Sequence, residues 1–441
     1  MTKDQRAKWI GYLAVPTSTL CVLAWFTGPA HAAPGDEISI LVSTLYILLH
    51  GALVLWMAAG FAMLESGLVR TKSVSTILLK NITVVAIASV AFMLLGYNLM
   101  YDGVDGGLVG SLKPWTFPKA VYGDARSTGL VPGAHWFFQM VFVATAASIV
   151  SGTVAERVKL WPFFAFVFAL TAVIYPIAGA WHWGGGWLAK LGFVDFAGST
   201  IVHSVGGWAA LTGAIVLGAR RGKYNDDGRV RRMSASALPL TTLGTFILWL
   251  GWYGFNGGSI GSLSTLEDAV RLSQIYVNTT MGAAGGILAA IILMQLFGGK
   301  IDVRHALNGA LAGLVSITAS PETAEPWLAL FIGAVGGIIV VLTTPMLDRF
   351  RIDDVVGAVP VHLFAGIWGT LAVCLSHSQA DPLVQLTGIA AIGSFAACTS
   401  YLVWWIIRLT IGLRLSKAEE VLGLDRIELG TPAYPEFRLN D

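Results

Sequence analysis

The sequence predicts an all-α polytopic membrane protein of eleven transmembrane helices, and three observations carry that prediction. Of 441 residues, 55% are hydrophobic and only 12% charged, and the mean hydropathy is +0.70, outside the range of ordinary soluble domains. The apolar residues fall in runs of about 18 to 25, the length a helix needs to cross roughly 30 Å of hydrocarbon, whereas barrel strands would be far shorter. Lys and Arg also divide unequally between the two sides that those runs define.

Residues 1–32 read as a targeting segment. Lys3, Arg6 and Lys8 precede an apolar stretch from Trp9 to Phe26, followed by the small-residue site Ala30-His31-Ala32. Cleavage there is expected, and an uncleaved first span is the alternative.

The spans are then expected at 39–64, 80–101, 136–155, 161–180, 200–219, 237–256, 273–297, 305–319, 327–347, 357–376 and 384–411. With the mature N-terminus outside and the C-terminus inside, twenty Lys and Arg residues lie on the inner side. Five lie outside (Lys113, Lys119, Arg126, Lys190 and Arg271) and three in the leader, accounting for all 28. The outer loop 101–135 carries Asp102, Asp105 and Asp124, read either as a cation attractor or as a solvated loop. The membrane unit covers 33–411, and residues 412–441 form a charged cytoplasmic tail too short for a separate globular domain.

Eleven spans suit two five-helix halves of opposite orientation plus one extra helix. Span five contains Val202-His203 with Gly207 four residues on, and span ten contains Val361-His362 with Gly366 four residues on. Ionisable residues within a membrane are costly and point to function. His203 and His362 occupy equivalent places in the two halves and would meet near the midplane, a neutral pair offering both donor and acceptor. Separate packing histidines are the bland alternative, and His50, without a counterpart, reads as packing. No third ligand at metal spacing accompanies the pair, so no cofactor is expected, although a haem with two axial histidines is a rival. Nothing resembles a nucleophile–base pair or a phosphate loop, which disfavours an enzyme. Cys21 falls in the leader, and Cys374 and Cys398 read as small core residues.

Asp195 stands just ahead of span five, where a carboxylate caps a helix and lends negative potential to the outer mouth. Phe142, Trp183 and Phe255 lie near the outer ends of spans, where ring faces attract a cation; an interfacial aromatic belt is the alternative.

Several motifs, in order along residues 40–436, resemble the Amt branch of the ammonium transporter family (Amt, Mep and Rh proteins). They are Gly60-Phe-Ala-Met-Leu-Glu-Ser-Gly-Leu-Val-Arg70, Gln139-Met-Val-Phe142, Gly152-Thr-Val-Ala-Glu156-Arg157, Trp183-Gly-Gly-Gly, Asp195-Phe-Ala-Gly-Ser-Thr-Ile-Val-His203, Gly251-Trp-Tyr-Gly-Phe255-Asn256-Gly-Gly-Ser259, Val277-Asn278-Thr279 and Asp353-Asp354 ahead of Val361-His362. The resemblance implies an outer cation site of Phe142, Trp183 and Ser259 with Thr279 beside it, and a stacked gate of Phe142 and Phe255. It implies a pore lined by His203 and His362, and Asp195 stabilising the outer site. It also implies an inverted five-plus-five repeat, a homotrimer in the cell (inner or plasma) membrane, and ammonium as the substrate, with methylammonium a further candidate. The stretch Gly357-Ala-Val-Pro360-Val-His362-Leu363 departs from the family's Asp-Val-Phe-Gly before the second histidine, and reads as loss of that aspartate. The tail from Gly412 to Asp425 resembles the Amt tail that meets PII-type signalling proteins, with Leu429-Gly430 where His-Gly is usual.

The mechanism expected from these residues has ammonium recruited at the aromatic site and deprotonated, ammonia then crossing while its proton follows the histidine pair. Electroneutral ammonia conduction, or an ammonium sensor on the same scaffold, are the alternatives.

Overall fold

A computed structural model describes residues 37–323 and 325–437. The expected leader, 1–32, lies outside them. The described chain is almost wholly helical, with long rods α1 (Glu37–Leu68), α2 (Thr71–Tyr101), α3 (Pro132–Thr153), α4 (Leu160–Ala180), α5 (Ser199–Leu217), α6 (Leu238–Gly258), α7 (Leu266–Leu296), α8 (Val303–Ile317), α9 (Pro326–Arg349), α10 (Val359–Ser376) and α11 (Pro382–Thr410), then a short tail helix α12 (Lys417–Leu422). Among the described residues, nine rods are long and apolar enough to cross a membrane. The two that fall short are α6, diluted by glycine, asparagine and indole groups, and α8, whose 15 residues make only about 22 Å of helix.

The 51 glycines let helix backbones meet. A Cβ on Gly244 of α6 would lie 2.3 Å from the Leu64 nitrogen of α1. One on Gly286 of α7 would lie 2.0 Å from the Gly309 carbonyl oxygen of α8, and one on Gly337 of α9 2.1 Å from the Gly286 carbonyl oxygen. Helices α5, α3, α4 and α10 form the most enclosed part of the bundle, and Phe166 and Trp404 stack at 3.7 Å between α4 and the more peripheral α11.

Several expectations need correcting. Helix α2 begins at Thr71 rather than near residue 80, because Lys80 is not an end-of-helix charge: it is 1% exposed, inside the bundle. Cys374 is half-buried and Cys398 exposed on α11, so Cys398 is not a core residue; hydropathy cannot separate a core-facing from a lipid-facing position. The loop after α2 contains a short helix, Val121–Thr128. In the outer loop, which reads either as a cation attractor or as a solvated loop, Asp102 pairs with Lys113 at 2.7 Å and Asp105 with Lys190 at 3.3 Å, both at the surface.

The opposite, basic face is laced together by buried charges. Arg220 grips Asp353 through Nε–Oδ2 at 2.8 Å and Nη2–Oδ1 at 2.9 Å, and reaches Glu156 through Nη1 at 2.8 Å. Burial alone would raise the Asp353 carboxyl, but the Arg220 guanidinium holds it well below the usual carboxylate range. The tail docks here. Asp425 accepts from the Ser75 and Thr76 N–H groups at 2.9 and 2.8 Å, capping the first turns of α2, and Glu420 accepts from Arg414 at 2.8 Å and from the Arg221 N–H at 2.6 Å.

Candidate functional site

Helices α5 and α10 open alike. Each begins as a π-helical turn, Ser199–Ser204 and Val359–Phe364, that carries the histidine, a device common at functional sites. Asp195 stands eight residues before His203, and Asp354 eight before His362; each is followed three residues later by a glycine with positive φ, Gly198 at +105° and Gly357 at +80°. Asp195 accepts from Gly198 N–H at 3.2 Å and from Thr200 and Ile201 N–H at 2.9 Å each. Asp354 accepts from Gly357 N–H at 3.1 Å, Val359 N–H at 2.7 Å and the Thr153 hydroxyl at 3.0 Å. Asp354, from the Asp353-Asp354 pair, thus caps the start of α10 as Asp195 caps the start of α5. Burial pushes both carboxyls up, Asp195 to about 6, against the backbone N–H groups that pull them down.

The two matched turns bring the histidines together. His203 and His362 are 0% and 4% exposed, their Nδ1 atoms are 3.2 Å apart and their rings stack at 5.2 Å. One Nδ1 must donate and the other accept, so the pair shares one proton in that bond. With the two Nδ1 atoms in direct contact there is no gap between the rings for a haem plane. Among the described residues no group of three or more His, Cys, Asp or Glu side chains has metal-binding geometry. His203 Nε2 is buried with no protein partner, a ring nitrogen open to a guest.

On the side away from the basic face, aromatic rings continue the line. His203 lies 5.3 Å from Phe255, which stacks on Phe142 at 4.0 Å and 20°; Phe142 meets Trp183 edge-on at 5.9 Å. Phe142 and Phe255 are 1% and 0% exposed and in contact, leaving no open path between their faces. The Trp183 indole is half-buried and donates to the Asp195 carbonyl at 3.0 Å, so one residue anchors both the indole and the start of α5. Ser259 directs its hydroxyl to the Phe255 carbonyl at 2.8 Å, and buried Thr279 accepts from Asn256 at 3.0 Å. The structure thus ties Ser259 and Thr279 to the end of α6 around Phe255. His50 is buried between Tyr46 and Tyr276, its Nδ1 2.8 Å from the Tyr46 carbonyl and its Nε2 3.2 Å from the Tyr276 hydroxyl, in keeping with packing.

Sequence reasoning missed Trp252, which stacks on His203 at 5.0 Å while its indole donates to Thr318, and Phe61, 6.5 Å from His362. Trp252 was signalled within Gly251-Trp-Tyr-Gly-Phe255, since helical spacing sets it nearly one turn before Phe255.

Comparison with known proteins agrees with this architecture. The model of the Ammonium Transporter Family matches residues 45–434. The chain is 41% identical to ammonium transporter Amt2 of Archaeoglobus fulgidus, over 90% of this chain and 89% of that protein, and 40% identical to a putative ammonium transporter of Synechocystis over 89% of each. Among solved structures it is similar to one described as a sensor Amt protein (TM-score 0.83, 34% identity, 89% of this chain and 99% of that one) and to Mep2 of Saccharomyces cerevisiae (TM-score 0.77, 25% identity, 89% and 95%). The chain belongs to the Ammonium Transporter Family, whose members are transporters rather than enzymes, and is a multi-pass membrane protein with ammonium or ammonia as its substrate.

Proposed function

We propose that the protein carries ammonium across the cell membrane by separating it into ammonia and a proton. The observation that carries this reading is the unbroken series Trp183, Phe142 and Phe255, His203, His362. The basic face is cytoplasmic and the Trp183 face external, as the Lys and Arg partition requires, in an eleven-helix, N-out and C-in arrangement of inverted halves. Ammonium is drawn to the electron-rich faces of Trp183 and Phe142, aided by Ser259 and Thr279. Cation–π contacts of about 0.5–2 kcal/mol each recruit it but cannot replace its hydration, and an unpaired cation in a dry interior costs far more. Ammonia needs only hydrogen bonds, so the proton leaves near Asp195 or the histidines, the Phe142–Phe255 gate admits ammonia, and the proton passes along the imidazole pair. His203 Nε2 is the acceptor available to the arriving proton.

The subunits form a homotrimer with one pore each, and the docked tail is the surface that a PII-type protein engages. Purified protein on a solid-supported membrane tests the transport reading: an ammonium pulse should give a transient inward current that a sodium pulse does not, and silence in intact protein would contradict it.

A second reading, an ammonium sensor, is favoured by the similarity to the sensor Amt protein together with the tail held at Glu420 and Asp425. It predicts ammonium-dependent hydrogen exchange in the tail without current.

A further inference from the structure

The histidine relay ends at His362, and a cavity on the basic-face side of that ring has Phe61, Ser148, Asn308, His362 and one carboxylate, Glu65, in its lining. Glu65 is 1% exposed. Both hydrogen bonds to its carboxylate fall on Oε2, from the Ser151 hydroxyl at 2.8 Å and the Asn81 amide at 3.2 Å. Among the described residues Oε1 has no protein donor, on a residue that lines the cavity.

Its countercharge is held back. Lys80, also 1% exposed, donates to the Ser151 carbonyl at 3.1 Å and sits 4.0 Å over the Phe163 ring, with no contact ion pair to Glu65. Ser151 therefore stands between the two, its hydroxyl on the acid and its carbonyl on the amine. A buried pair serving stability alone is expected in direct contact with all its atoms bonded. Here Lys80 offsets the negative charge through a low-dielectric interior without covering the carboxylate. The other titratable group around the cavity is His362 from α10; the lining from α3, α6 and α8 is uncharged, and Arg157 beyond Lys80 is bonded to the Thr153 carbonyl.

We propose that Glu65 is the inner proton-exchange residue of the pore. It takes the proton that has passed His362 and becomes a neutral acid. Ammonia arriving in the cavity then takes that proton with its lone pair: an N–H bond forms as the O–H bond breaks, ammonium leaves for the basic face, and the carboxylate is restored. One positive charge crosses per turnover. A carboxylate is suited to this because re-forming ammonium in a dry cavity needs a negative partner, which the neutral histidine pair does not supply. The assignment rests on the proton-separating reading above.

The full-length protein in proteoliposomes, carrying Glu65→Gln, Glu65→Asp or neither, tests it. The amide keeps an acceptor oxygen for Ser151 and Asn81 but cannot exchange a proton. Glu65→Gln should cut the ammonium-pulse current by about a hundredfold, while luminal alkalinisation by ammonia entry persists and Glu65→Asp retains current. A Glu65→Gln current equal to the parent's overturns the assignment to Glu65 alone; a parent with no current condemns the histidine relay, and this proposal with it. Should the amide variant not fold, infrared difference spectra of protein containing isotope-labelled glutamate decide the matter. Ammonium should shift a carboxyl band that moves again in Glu65→Asp, and an unshifted band overturns the proposal.

Discussion

His203 and His362, 159 residues apart in the chain, place their Nδ1 atoms 3.2 Å from one another. That contact is made by two local structures of the same design: a carboxylate cap, a glycine with positive φ, a π-helical turn and a histidine eight residues after the cap. The pair is a product of correspondence between two segments, so changes that disturb either segment should disturb the pair.

Removing a cap is the first such change. Asp195→Ala strips three buried N–H groups of their acceptor, and each unsatisfied group costs about 1–3 kcal/mol. Thermal unfolding in detergent should show Asp195→Ala well below the parent and Asp195→Asn between them, with Asp354→Ala following the same order against Asp354→Asn. Equal melting temperatures for parent and alanine variants would contradict the capping role.

Glycine at the crossing of α5 and α10 is the second. A Cβ on Gly207 would lie 2.7 Å from the Leu363 backbone nitrogen, and one on Gly366 2.5 Å from the Ser199 carbonyl oxygen. Overpacking of this kind costs about 1–3 kcal/mol. Gly207→Ala or Gly366→Ala should lower ammonium current with both histidines intact, and parent-like current in both would show that the crossing tolerates being spread.

Trp183 carries recruitment in the proposed mechanism. Losing a cation–π contact of about 0.5–2 kcal/mol raises the half-saturating ammonium concentration about two- to thirtyfold. Trp183→Leu should show that rise in the concentration dependence of the current, with the maximal current less affected.

The basic face predicts an acid limit. Arg220 depresses the Asp353 carboxyl in the folded protein, so its contribution is complete above the unfolded value near 4 and is lost as pH falls through the folded value. Stability followed by unfolding temperature should lose this contribution only below about pH 4. Asp353→Asn should flatten that acid limb while lowering stability at neutral pH by about 3 kcal/mol, since Arg220 keeps only Glu156 as its buried partner.

How far the chain could be read from its sequence follows from where its signals lie. His203 and His362 were legible because a histidine in an apolar run stands out, and the matched glycines Gly207 and Gly366 tied the two runs together. Asp195 was legible as a cap; Asp354 was legible only as part of the Asp353-Asp354 motif, and its bonds to Gly357 and Val359 are what give it the same office. Lys80 was placed at a helix end because charge normally ends a span; its burial rests on the Ser151 carbonyl and the Phe163 ring, contacts between helices that no local pattern announces. The exposure of Cys398 was hidden for the opposite reason, since lipid-facing and core-facing positions are equally apolar. Thr279 was placed beside the outer site by resemblance alone, since its bond to Asn256, the neighbour of Phe255, joins two helices and leaves no local pattern.

The most direct test of the account compares the parent with His203→Ala and His362→Ala in the same proteoliposomes, recording ammonium-pulse current and luminal pH together. The account predicts that either substitution abolishes the proton-carried current while ammonia still enters and alkalinises the lumen. A full ammonium current in both alanine variants, with unchanged selectivity over sodium, would contradict it, because charge would then be crossing without the imidazole pair.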